Sequence, residues 1–141
     1  MDEHAPSGAA ANLPGQHLVT LEVRERPASF ATAAEAAWKA AVRQAVTVSE
    51  VTVVDARFAV GIDFRTRSPK NANEVWDLDN LVKPTLDALE GVFGARPWKG
   101  VPQPADDRVD YLTAVKRTAT SPEDVGATIT IHLLQDSPGP S

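Results

Sequence analysis

The spacing of apolar residues switches between two periods along this chain, and that switching limits the fold more than any other feature. In His17-Leu-Val-Thr-Leu-Glu-Val23 the apolar positions are 19, 21 and 23, the period of a half-buried strand. From Phe30 to about Val46 the period becomes helical, through Phe30, Ala34, Ala37, Trp38, Ala41, Val42, Ala45 and Val46, in an alanine-rich stretch that predicts an amphipathic helix. Val51 to Phe64 is rich in β-branched residues and predicts a long strand. A polar loop over 65–76 leads to a second helix from about 80 to 92, with Val82, Leu86, Leu89 and Phe93 as its buried stripe. Asp79 or Asn80 suits its N-cap, Pro84 falls near its first turn, and Gly91 and Gly94 supply its stop.

After a Pro/Gly-rich excursion from Ala95 to Ala105, two closing strands are predicted near Val109 to Lys116 and Ala127 to Leu134. The order is β-α-β-α-β-β, an α/β (α+β) domain with a small mixed sheet and two helices, and without internal repeats. Residues 1–15 and 136–141 have the composition of disordered tails, which leaves 16–135 as a single domain.

The chemistry concentrates at the second helix. Asp77-Leu-Asp-Asn-Leu-Val-Lys-Pro-Thr-Leu-Asp-Ala-Leu89 is followed by Asp106-Asp107-Arg-Val. Acids one residue apart share a side of an extended backbone, so Asp77 and Asp79 converge. Like charges that close repel unless a cation or a proton neutralises them. A hard divalent metal is the simplest neutraliser, since Mg²⁺ takes oxygen ligands from one or two carboxylates and keeps waters that exchange for phosphate oxygens. Asp79, Lys83 and Asp87 recur every four residues, and the bland reading of that spacing is a solvated face with ordinary ion pairs. The acids just ahead favour instead a lysine placed to meet a phosphate, with Asp87 holding it in position.

The pattern D-x-D-N-x-x-K-x-x-x-D-x-L plus a later D-D resembles the RusA-type Holliday junction resolvases, small Mg²⁺-dependent endonucleases that cut four-way DNA junctions. Asp77, Asp79, Asn80, Lys83, Asp87 and Leu89 carry the resemblance, with Asp106 or Asp107, Val109 and Lys116. It implies a RusA-like fold, a homodimer that makes paired symmetric nicks in branched DNA, and Mg²⁺, or Mn²⁺ in its place, on Asp77, Asp79 and a third acid. Gap-free matching to Val109 and Lys116 selects Asp106 as that acid and holds Asp107 in reserve. Lys83 would stabilise charge at the transferred phosphoryl group.

Compared with typical members, the Ala95 to Ala105 excursion is long. The segment Arg24-Glu-Arg-Pro-Ala-Ser29 also replaces a Pro/Asn-rich loop that would contact DNA. Arg65, Arg67 and Lys70 form one basic patch, and Arg96 with Lys99 a second, suited to phosphate backbone. Trp76 and Trp98 could stack on bases, though Trp76 suits a buried place beside the site, and Trp38 belongs to the core. His4, His17 and His132 have no metal-ligand spacing.

Composition bounds the alternatives. The net charge of −5 runs against the basic surface usual in DNA-binding domains, and bound cations would offset part of it. A catalytically silent interaction protein on the same scaffold, or a metal-dependent hydrolase of a small phosphorylated substrate, therefore stands beside the nuclease reading. With no cysteine, no targeting segment in Met-Asp-Glu-His-Ala-Pro and no apolar run of membrane-spanning length, the expected setting is the cytoplasm, away from membranes.

Overall fold

A computed structural model describes residues 8–29, 32–53, 55–69, 77–98, 101–104 and 108–134. The elements in chain order are β1 (Gln16–Val23), α1 (Glu35–Ser49), β2 (Arg57–Thr66), α2 (Leu78–Asp87), α3 (Glu90–Phe93), β3 (Ala95–Trp98), β4 (Val101–Pro104), β5 (Val109–Thr118) and β6 (Gly126–Leu134). Four strands form one mixed sheet in the order β1-β6-β2-β5, and β3 pairs with β4 in a separate ribbon. β6 is antiparallel to both β1 and β2, while β5 is parallel to β2. Consequently β1, β2 and β5 all finish at the same end of the sheet.

Alternation along the strands sorts the two sheet faces. Phe58, Val60, Ile62 and Phe64 of β2 join Leu21, Val23, Ala127, Ile129 and Ile131 in the core, against the helices. α1 contributes Trp38, Val42 and Val46, a stripe at i, i+4 and i+8, and Leu81, Leu89, Val92 and Phe93 come from the segment of α2 and α3. The Trp38 Nε1 donates to Thr85 Oγ1 at 2.9 Å, which donates in turn to Leu81 O at 2.8 Å, so the buried indole N–H is satisfied.

The two helical ends fix the direction of α2. Trp38, bonded to Thr85, packs on Phe64 near the end of β2, whereas Phe93 packs on Phe58 near its start, with ring centroids 4.9 Å apart. The N-terminus of α2 therefore lies toward the end of the sheet where β2 and β5 finish.

Several predicted boundaries move, each for a tertiary reason. α1 starts at Glu35 and runs to Ser49, where Glu50 takes a left-handed conformation; Phe30 lies outside the described residues. β2 begins at Arg57 rather than Val51, because its pairing partners begin there, with Phe58 opposite both Val109 and Leu133. Val53 stays exposed. The single helix expected over 80–92 is two: α2 opens at Leu78, which puts Pro84 inside it, and a turn at 88–89 separates α3. Gly94 ends α3 with φ +86°, and the excursion after it contains the β3–β4 ribbon.

Gly8 to Gly15 was expected within a disordered tail, but these residues pack. A 3₁₀ turn at Gly8–Ala10 crosses the sheet face opposite the helices, with Ala9 2% exposed. Ala9 N–H donates to Asp63 Oδ1 at 3.0 Å, and Thr113 Oγ1 donates to Ala9 O at 2.5 Å. Gly61 permits this approach, since a Cβ there would stand 2.6 Å from Ala9 O. Composition registers only the weak local propensity of this segment, not partners this distant in sequence.

Candidate functional site

α2 begins at Asp77, which has extended backbone angles and caps the helix without a side-chain hydrogen bond. Because Leu78 is already helical, Asp79 sits in the first turn, and the strand-like alternation expected for the two acids does not apply. The helix start instead sets both carboxylates at the positive end of the peptide dipoles. Among the described residues, Asp79 Oδ1 accepts from the neighbouring Asn80 N–H alone, at 3.1 Å. Among the described residues neither acid has a cationic partner, and both are exposed. Two uncommitted carboxylates are suitable donors for a hard divalent cation.

Lys83 follows one turn later on the side of Asp79. Its Nζ lies 3.2 Å from both carboxylate oxygens of Asp87, the placement expected from the four-residue spacing. The lysine side chain is 55% exposed and Asp87 only 17%, so the acid forms the firm half of the pair. Asp79 and Lys83 also rim a groove of about 530 Å³ between α2 and β5, lined by Leu78, Val82, Leu86, Leu112 and Ala114. Sequence periodicity identifies the apolar stripe of α2 but not this groove, which exists because the outer strand β5 leaves part of the stripe uncovered.

Asp106 and Asp107 lie outside the described residues, as do Lys70, Trp76 and Lys99. Arg108, just after the two acids, donates to Phe93 O at 3.0 Å and pairs with Asp55 at 3.5 Å, at the end of the sheet where β5 begins. Among the described residues no three His, Asp or Glu side chains assemble into a metal-binding group. Arg96 lies in β3, in the excursion as expected.

Arg65 requires a correction. Expected in an exposed basic patch, it is 7% exposed, because it still belongs to β2 and points into a polar network. Its Nε donates to Asp124 O at 2.7 Å, its Nη1 to Thr128 Oγ1 at 2.8 Å, and its Nη2 to Glu22 Oε2. With its donors engaged across β1, β6 and the 3₁₀ turn Pro122–Asp124, Arg65 is a clamp rather than a phosphate contact. Asp124 is held at about 2, below the usual carboxylate value, first by the hydrogen bond from Arg117 and then by the Thr120 backbone N–H. Arg57 likewise lowers Asp110 through its hydrogen bonds.

Arg67 projects beyond the strand and lines a separate cavity with Arg26, Ser68, Thr120 and Ser121. His17 and His132 face each other across β1 and β6, with ring centroids 5.7 Å apart. His132 Nδ1 is 3.1 Å from Pro14 O and His17 Nε2 2.8 Å from Thr20 Oγ1, so their described partners are structural. Among the described residues no helix is long and apolar enough to cross a membrane. Comparison with protein-family models and with curated proteins finds no match to this chain.

Proposed function

We propose that the protein is a Mg²⁺-dependent endonuclease that resolves four-way DNA junctions as a homodimer, each subunit nicking one of two symmetric strands. The observation that carries this reading is the pairing of two uncommitted carboxylates, Asp77 and Asp79, with a braced lysine one turn further along α2. Asp77, Asp79 and Asp106 would hold the ion, with Asp107 the alternative third ligand. Mg²⁺ when bound would supply a polarised water and neutralise charge on the scissile phosphate. Lys83, kept in place by Asp87, offsets negative charge developing on the phosphoryl oxygens. Arg67, Lys70, Arg96 and Lys99 would meet the phosphate backbone without reading sequence.

The test is cleavage of a synthetic four-way junction against linear duplex of the same sequence, with Mg²⁺ and with chelator. Metal-dependent nicking of the junction alone supports the reading. A second function is favoured by a specific observation: the groove beside Asp79 is mainly apolar, and Leu112 is 42% exposed in it. A non-catalytic module that binds an apolar partner in this groove would leave the junction uncut and would lose its partner on Leu112→Glu.

A further inference from the structure

β5 is an outer strand of ten residues, and among the described residues no strand pairs with its free edge. Such an edge offers a row of backbone N–H and C=O groups to another strand, and proteins that keep it solitary blunt it with charge, proline or brevity. β5 is long and has no proline, and its middle, Tyr111-Leu-Thr-Ala-Val115, has no charge. The other outer strand, β1, is built differently: its exposed residues are Gln16, His17, Thr20 and Glu22, while Leu21 and Val23 are buried. On β5, Tyr111, Leu112 and Val115 are 41%, 42% and 43% exposed, and among the described residues the other large apolar side chains this open are Val48 and Val53.

The exposed apolar residues of β5 are divided between the two sheet faces. Leu112 and Ala114 lie on the helix side, where they line the groove of about 530 Å³ beside Leu78, Val82 and Leu86 of α2. Tyr111, Thr113 and Val115 are opposite Ala59, Gly61 and Asp63 of β2, on the face that receives the Gly8–Ala10 turn. A covering partner must therefore supply an antiparallel or parallel strand for the edge and apolar side chains on both faces at once.

The strand is complementary to itself in that sense. Two antiparallel copies related by a two-fold axis perpendicular to the sheet place residues of the same face opposite each other. With the axis beside Thr113, Leu112 faces Ala114 of the second copy, and Tyr111 faces Val115. Moving the axis to Ala114 sets Leu112 against Lys116 and Tyr111 against Arg117, and moving it to Leu112 sets Tyr111 against Thr113. The Thr113 register matches apolar with apolar on both faces and joins the two α2 grooves along one floor.

We propose that β5 pairs antiparallel with β5 of a second copy of this chain, about a two-fold axis beside Thr113, so that the two sheets continue edge to edge. Both copies then carry α2 on the same side of the joined sheet, with the helix N-termini toward opposite ends. Two sites on one face suit paired nicks, a consequence that rests on the nuclease reading. The interface itself does not depend on that reading.

The experiment is sedimentation equilibrium of the full chain without DNA, for the parent, Tyr111→Lys, Val115→Glu and the double variant, with circular dichroism and thermal melts to check the fold. Both positions are exposed in the single chain, so the variants should fold. Each single variant buries unpaired charge twice across the axis and should weaken the dimer at least about a hundredfold. In the double variant each lysine faces a glutamate of the second copy, and two such cross-strand pairs should recover about tenfold. Within one chain these positions are about 13 Å apart along the strand, so recovery reports contact between copies. A parent that stays monomeric at the highest concentration reached overturns the proposal and leaves the edge to a chain of different sequence. A dimer that both folded single variants retain uses another surface and overturns it too, and loss in both without recovery overturns the Thr113 register. A dimer with this pattern that never cuts junctions retains the interface and removes only the nuclease reading.

Discussion

Asp77 and Asp79 carry the catalytic proposal, so single-atom changes there are its sharpest probe. Asp77→Asn or Asp79→Asn should abolish junction cleavage while the melting temperature and junction affinity hold, because neither carboxylate supports a described tertiary contact. Full activity in both variants ends the metal-nuclease reading. The third acid is separable from its neighbour: Asp106→Ala should slow cleavage by several orders of magnitude and Asp107→Ala should cost little, measured as single-turnover rates. The reverse ranking would reassign the ligand to Asp107.

Asp124 gives a residue-scale prediction about stability. Its carboxyl is lowered in the folded protein from 3.8 to about 2, so its favourable contribution is complete above the unfolded value and fades as pH falls through about 2. Asp124→Asn should therefore melt at lower temperature than the parent near neutrality, and that gap should close as pH drops from about 4 toward 2. A gap independent of pH would mean that the Arg117 and Arg65 contacts act by shape rather than charge.

At the scale of elements, β2 is the pivot. It pairs on both sides, presents Phe58, Val60, Ile62 and Phe64 to the helices, and receives the Gly8–Ala10 turn on its other face. Gly61→Ala places a methyl group against the Ala9 carbonyl, and the backbone atoms it meets belong to no flexible side-chain tip. The expected cost is about 1–3 kcal/mol by denaturant titration, together with faster proteolysis near residues 8–13. An unchanged midpoint would show that the turn contributes little to the domain. β5 has the opposite character: an outer strand with Tyr111, Leu112 and Val115 partly exposed, whose groove with α2 stays open.

For the whole molecule, the decisive quantity is how a chain of net charge −5 would hold DNA. Arg26 and Arg67 line a cavity at one end of the sheet while Arg65 and Arg117 pair with Asp124, so a locally positive surface is compatible with overall acidity. Junction affinity should consequently fall steeply with salt, with a log–log slope proportional to the number of phosphate contacts, and Arg67→Gln should reduce that slope by about 1. A flat dependence would exclude DNA as the partner.

Local spacing alone determined much of this protein: the mixed α and β class, the buried Trp38–Val42–Val46 stripe, the two closing strands and the Lys83–Asp87 pair. Each depends on residues within a few positions of one another, where period and propensity act directly. Tertiary structure decided the rest. β2 starts at Arg57 because its partners start there, and Arg65 is buried because Glu22, Thr128 and Asp124 arrive from three other segments. The N-terminal turn is ordered because Asp63 and Thr113 answer its backbone across Gly61. The cavity of Arg26 and Arg67 exists only because three strands end together. In each case the stabilising partner is distant in sequence, and its contribution appears only once the sheet has brought the segments into contact.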